Sequence, residues 1–267
     1  MDKEDTLGQR TSYPPGTFCW ADLGTTDVES ARGFYTDLFG WDSEDQETDS
    51  GIYVMFRQNG HPVAAIYEQG AERLTAGWNP TWVSYVTVDD ADAAAVRAAE
   101  LGAEIVSDPF EVMGAGRMAL AVDPTGASFA LWQPRDHFGA GIVNDPGTMT
   151  WNELRTTDAK SAADFYSQLF GWRLDPRPMG DGNDYIIVRV GERSNGGIVP
   201  MTQTDDDAAP QWTVYFTVED IEAAAGRVDQ LGGNILVTPF EAPNGKFSIV
   251  QDPQGAVFAF FEGPVDD

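Results

Sequence analysis

A carboxylate two residues from a tryptophan on an extended strand can move protons when the indole shields it from water, and this chain carries that pattern twice, at Trp20-Ala21-Asp22 and Trp151-Asn152-Glu153. Burial against an aromatic plate raises a carboxyl pKa toward neutrality, the condition for general acid or base work near pH 7. Arg155, two residues past Glu153, is a cation suited to holding an anion, whereas the matching position after Asp22 is Gly24. Strand alternation places Tyr85, Thr87, Thr213, Tyr215, Thr217, Trp132 and Phe261 on the same side as these groups. Cys19, Ala21, Leu23, Asn152, Leu154, Val86, Val88, Val214, Phe216, Val218, Phe129, Leu131, Phe258 and Phe260 fall on the other. The first set mixes aromatic area with a few polar heads, as a small-molecule cavity does; the second is mostly apolar and suits a core under helices. Glu153, Asp22, Tyr215 and Tyr85 are therefore the catalytic candidates, and Trp20, Trp151, Arg155, Trp132, Thr213 and Phe261 the ligand-binding ones.

The elements that position these residues are written twice. "WADLGTTDVESARGFYTDLFGW" from Trp20 returns as "WNELRTTDAKSAADFYSQLFGW" from Trp151, and the same offset relates "DPTGASFALWQ" from Asp123 to "DPQGAVFAFFE" from Asp252 within about two residues. In each copy a short strand gives way at Asp27 or Asp158 to a helix with one apolar face, stopped at Gly40 or Gly171. A fainter second copy follows in each half: the strand "WVSYVTV" or "WTVYFTV", a cap at Asp89 or Asp90 in the first half, a helix, then further strands. The pattern predicts a disordered tail over 1–12, a first domain over 13–134, a linker over 135–147 and a second domain over 148–267. Whether the modules pair within a half or between halves stays open at this level.

With 43 acidic against 16 basic residues the formal net charge is -27, which repels nucleic-acid phosphates and anionic lipid. Neither a nucleic-acid nor a membrane partner is expected. One cysteine, Cys19, permits no internal disulfide and suits a buried strand position. The polar start and the lack of any long apolar run predict a cytoplasmic protein. The two histidines, His61 and His137, are expected at the surface, so neither half can assemble a two-histidine, one-carboxylate iron site.

The motifs "DVESARGFYTDLFGW", "DAKSAADFYSQLFGW", "VDD", "VED", "DPTG" and "DPQG" resemble the vicinal oxygen chelate superfamily, which includes glyoxalase I, bleomycin-resistance proteins and ring-cleaving dioxygenases. The resemblance implies an α+β fold: four βαβββ modules forming two tandem glyoxalase/bleomycin-resistance-like domains, each with a curved, cup-shaped sheet. It is similar above all to actinobacterial tandem members, which implies a place in specialised, polyketide-type metabolism. Metal-dependent members hold a divalent ion at set strand positions, which fall here on Trp20, Val83 and Ala130, and on Trp151, Thr213 and Ala259. These are not ordinary metal ligands, so neither metal nor cofactor is expected.

The function this predicts is the binding of a hydrophobic aromatic or polycyclic small molecule, followed by a cofactor-free acid/base step: isomerisation, cyclisation, dehydration or an aldol-type reaction. A non-catalytic sequestering or carrier protein is the first alternative. A metal-dependent glyoxalase- or dioxygenase-like enzyme, using Asp22 or Glu153 in a carboxylate-only magnesium site, is the second. Monomer and homodimer are both compatible with the sequence.

Overall fold

Four aspartates start the four helices found among the described residues. Asp27 accepts the backbone N–H of Ser30 at 3.0 Å, Asp90 that of Ala93 at 3.0 Å, Asp158 that of Ser161 at 2.9 Å and Asp220 that of Ala223 at 3.0 Å, satisfying donors that the first helical turn leaves open. Gly40 and Gly171 end the first helix of each half in the left-handed region, at φ 72° and 70°, where a Cβ would be strained.

In the computed structural model, which describes residues 8–48, 51–70, 79–180, 182–201 and 209–265, the first half runs β1 (Phe18–Thr25), α1 (Val28–Phe39), β2 (Asp42–Thr48), β3 (Gly51–Gln58), β4 (His61–Glu68), β5 (Thr81–Thr87), α2 (Ala91–Glu100), β6 (Glu104–Val112), β7 (Gly116–Val122) and β8 (Ser128–Pro134). The second half repeats it as β9 (Met149–Thr156), α3 (Ala159–Phe170), β10 (Arg173–Pro178), β11 (Asp184–Val190), β12 (Arg193–Pro200), β13 (Gln211–Thr217), α4 (Ile221–Gln230), β14 (Asn234–Ala242), β15 (Gly245–Gln251) and β16 (Val257–Glu262).

Each half forms its own 8-stranded sheet, in the order β2-β3-β4-β1-β5-β8-β7-β6 and β10-β11-β12-β9-β13-β16-β15-β14. The modules therefore pair within a half. The two central strands of each sheet, β1 with β5 and β9 with β13, run antiparallel and bring Trp20 opposite Tyr85, and Trp151 opposite Tyr215. This α+β arrangement of two curled, sheet-dominated units is the one the repeated motifs imply.

The halves share their core. On α1, Tyr35 and Phe39 pack against Phe258 and Phe216 of the second half, at ring-centroid distances of 5.6 and 5.1 Å. On α3, Tyr166 packs against Phe129 of the first half at 5.3 Å. Polar braces follow the same two-fold pattern. Trp82 Nε1 donates to the Tyr35 hydroxyl, which donates to Asp252 Oδ2 at 3.1 Å; Trp212 Nε1 donates to Tyr166, which donates to Asp123 Oδ2 at 2.9 Å. Trp41 and Trp172, closing the repeated motif, donate across the junction to the carbonyls of Gly147 and Gly16. Satisfying each indole N–H lets these rings be buried without leaving a donor stranded.

Residues 1–7 of the expected tail lie outside the described residues, and Gln9 and Arg10 depart from the expected disorder. Gln9 bridges to Ile142, and the Arg10 N–H donates to the Gly141 carbonyl at 3.0 Å, so this stretch is tied to the linker.

Candidate functional site

The alternation expected of β1 and β9 holds, and it sorts the side chains by chemistry. On β1, Cys19, Ala21 and Leu23 are buried on one side, and Trp20 and Asp22 are buried on the other, where both meet Tyr53. There Asp22 Oδ2 accepts hydrogen bonds from Tyr85 at 2.7 Å and Tyr53 at 3.1 Å, and Trp20 Nε1 donates to the Tyr53 hydroxyl at 3.0 Å. The second sheet repeats the cluster. Glu153 Oε1 accepts from Tyr215 and Oε2 from Tyr185, both at 2.9 Å, and Trp151 Nε1 donates to Tyr185 at 3.0 Å. Each cup thus holds one carboxylate between two phenols, with an indole behind one of them.

Six predicted residues come together in these clusters: Trp20, Asp22 and Tyr85, and Trp151, Glu153 and Tyr215. Thr213 lies opposite Glu153 in the β9–β13 register and is buried. Phe261 continues the wall, its ring 5.1 Å from Phe247. Arg155 lies farther along β9, and its charge favours the ionised form of Glu153. Trp132 lines the first cup, 6.2 Å from the Tyr85 ring. Arg117, near the start of β7, and Lys246, near the start of β15, are taken up by the carboxylates Asp92 and Glu262.

Tyr53 and Tyr185 complete the clusters and were not among the sequence-predicted set. Their signal was a tyrosine early in the third strand of each half, in "GIYVMF" and "DYIIVR". Tyr185 reaches Glu153 by lying across Gly197 of β12, where any Cβ would collide with its hydroxyl.

The cups differ in exposure. Trp20, Asp22, Tyr85 and Trp132 are all buried, at 2–5% of their full accessible surface. Trp151, Glu153, Arg155, Tyr185 and Phe247 are only partly buried, and Phe240 at the rim is 46% exposed. The difference comes from the linker, and it corrects the surface placement expected of His137. That imidazole sits edge-on to Trp20, with centroids 4.6 Å apart at 87°, and 5.9 Å from Trp132. Burial, with Arg57 nearby, lowers its pKa to about 4, so the ring is neutral at pH 7.

Burial raises the Glu153 pKa above the usual carboxylate range; the O–H groups of Tyr215 and Tyr185 and the charge of Arg155 pull it back in part. The Tyr185 and Tyr215 hydroxyls are pushed well above the usual phenol value by burial and by the carboxylate they face, so both stay protonated donors. A partly desolvated carboxylate with fixed donors on both oxygens, facing an aromatic wall, can accept a proton from a bound molecule and return it.

The profile of the Glyoxalase/Bleomycin resistance protein/Dioxygenase superfamily matches residues 17–131 and again 136–260. The chain belongs to this superfamily. Among relatives in the glyoxalase superfamily, it is 37% identical over 260 residues to CFP32 of Mycobacterium tuberculosis, named as a glyoxylase, covering 95% of this chain and 97% of that protein. It is 34% identical over 264 residues to the anthracycline biosynthesis protein DnrV of Streptomyces peucetius, covering 94% and 95%. Of solved structures, the Mn(II)-bound glyoxalase from Novosphingobium aromaticivorans superposes with a TM-score of 0.66 at 18% identity, covering 96% of this chain and 83% of that one. The 2,3-dioxygenase LapB of Pseudomonas sp. KL28 gives 0.65 at 16%, covering 94% and 93%. Both show the shared fold.

The side chains here do not fit a divalent ion of the kind the Mn(II)-bound relative carries. Each carboxylate already accepts two phenol O–H groups, and among the described residues no three His, Cys, Asp or Glu side chains converge. No described helix is long and apolar enough to cross a membrane.

Proposed function

We propose that this protein binds a hydrophobic aromatic or polycyclic molecule in its second cup and moves a proton on it with Glu153, without metal or cofactor, in cytoplasmic specialised metabolism of the anthracycline type. The observation that carries this reading is the partly open cluster Trp151–Tyr185–Glu153–Tyr215, with its raised carboxyl pKa. The likeness to DnrV over nearly the whole chain supports the metabolic setting.

In the step proposed, Glu153 takes a proton from a carbon next to a ligand carbonyl and the freed electron pair moves onto the carbonyl oxygen as an enolate. Return of the proton at a second carbon isomerises the ligand with no net gain or loss of atoms. Attack of the enolate carbon on a second carbonyl would instead close a ring, the carbonyl π pair becoming an alkoxide that takes the proton back from Glu153. Tyr185 and Tyr215 hold the carboxylate still, and their hydrogen bonds steady its charge before transfer. Arg155 offers a positive charge for an anionic substituent, and Trp151, Phe247 and Phe261 supply flat apolar area.

The test is exchange in deuterated water of an anthraquinone-type ketone with an enolisable side chain, followed by mass. Glu153→Gln is expected to cut deuterium uptake on the order of 10²–10⁴-fold, while quenching of tryptophan emission by the ketone persists. Quenching by the wild-type protein with no uptake above the buffer rate would replace the enzyme with a carrier.

A further inference from the structure

The linker crosses the mouth of the first cup as a strap. After Pro134 the N–H groups of Arg135 and His137 both donate to the Ala115 carbonyl at 3.0 Å, holding the strap to the β6–β7 turn. It then spans to the other module, where Ala140 N–H meets the Cys19 carbonyl at 2.8 Å and Gly141 N–H meets that of Pro62 at 2.7 Å. Gly139 passes so close over Cys19 that a Cβ would strike its carbonyl oxygen. Anchored at both ends, the strap lowers one flat ring into the cup: His137, perpendicular to Trp20 and near Trp132. Its Nε2 is buried without a hydrogen-bond partner. The Trp132 indole N–H donates to the His137 backbone carbonyl at 2.9 Å, and the ring stands edge-on to both Trp20 and Trp132.

In the second cup Trp151 and Phe261 stand where Trp20 and Trp132 stand in the first. Among the described residues no ring stands edge-on or stacked against Trp151 as His137 does against Trp20; Trp151 packs with Phe247 against the Tyr215–Phe261 cluster, and Phe240 extends that apolar wall.

We infer that the strap and His137 are a built-in occupant of the first cup, and that the place they fill marks the subsite where the second cup, between Trp151 and Phe261, receives one uncharged planar ring of its ligand. Each chain then binds one ligand molecule, and the first cup is a structural copy. This rests on the aromatic-ligand reading and adds to it the position and neutrality of one ring and the stoichiometry.

The probe is 2-naphthol, titrated into the full chain labelled with 5-fluorotryptophan, with ¹⁹F resonances assigned by single Trp→Phe variants. The Trp151 resonance is expected to move and to saturate at one naphthol per chain, with Trp20 and Trp132 unmoved. In His137→Gly the Trp20 resonance should move as well and the number of sites rise from one to two. In His137→Phe, which keeps a flat ring on the strap, Trp20 should stay silent. A Trp20 response in the wild-type chain or in His137→Phe, or none in a folded His137→Gly, overturns the inference alone. Naphthol that moves no resonance at any concentration removes the aromatic-ligand reading and the inference together.

Discussion

Glu153 is the residue on which the chemistry turns, and its environment sets a sign. Its folded-state pKa lies above the unfolded value because burial penalises the carboxylate more than two phenols and a guanidinium relieve it. Between the two values the folded chain binds more protons than the unfolded one. The stability contributed by this group is therefore full below the ordinary glutamate pKa, about 4.3, and is lost as pH rises through the folded value. Much of this residue set was legible from alternation alone, since Trp20, Asp22 and Tyr85, and Trp151, Glu153 and Tyr215, sit on neighbouring strands with matched parity. Tyr53 and Tyr185 were not, because nothing local to their strands says that they fold back beside β4 and β12, next to the carboxylates. His137 was hidden for a related reason: a histidine in a polar linker reads as solvated until the strap's path across the cup is known.

At the scale of elements, the caps and stops were readable because they depend on a few neighbouring residues, and Asp27, Asp90, Asp158 and Asp220 all bond as N-caps. The edges of the sheets are also written locally. β2, with Asp42, Glu44, Asp45 and Glu47, and β10, with Pro176 and Pro178, resist pairing with another chain through charge and missing donors. The role of Gly197 could not be read this way, since the hydroxyl above it comes from β11. Gly197→Val is predicted to push Tyr185 off Glu153, costing about 1–3 kcal/mol through overpacking. A lower Tm in calorimetry, together with loss of the deuterium exchange proposed for Glu153, would agree; wild-type stability and exchange would show that Tyr185 does not need that gap.

Across the whole molecule, the repeat predicts two domains, and the structure shows two sheets whose cores are completed by each other's helices. The apolar face of α1, which from sequence should simply cover its own sheet, also meets Phe216 and Phe258, and α3 returns the arrangement on Phe129. Sequence could reveal the apolar face but not which sheet it would cover, because both sheets present the same kinds of residue. Tyr35 and Tyr166 recur in the doubled motif as the cross-braces to Asp252 and Asp123. Either half expressed alone, over 8–134 or 144–265, should therefore expose an aromatic helix face and lack cooperative melting, recovering a sharp transition when the two are mixed. Sharp melting of a half by itself at the temperature of the full chain would show that the shared core contributes little.

The account depends most on Glu153 being an acid of raised pKa inside the second cup. Its carboxyl ¹³C resonance, assigned by its absence in Glu153→Gln and followed by NMR from pH 3 to 9, measures this without any ligand. The predicted midpoint lies clearly above that of the exposed glutamates in the same spectra and rises further in Tyr215→Phe, which removes one donor to the charged form. A midpoint at or below theirs would contradict the account.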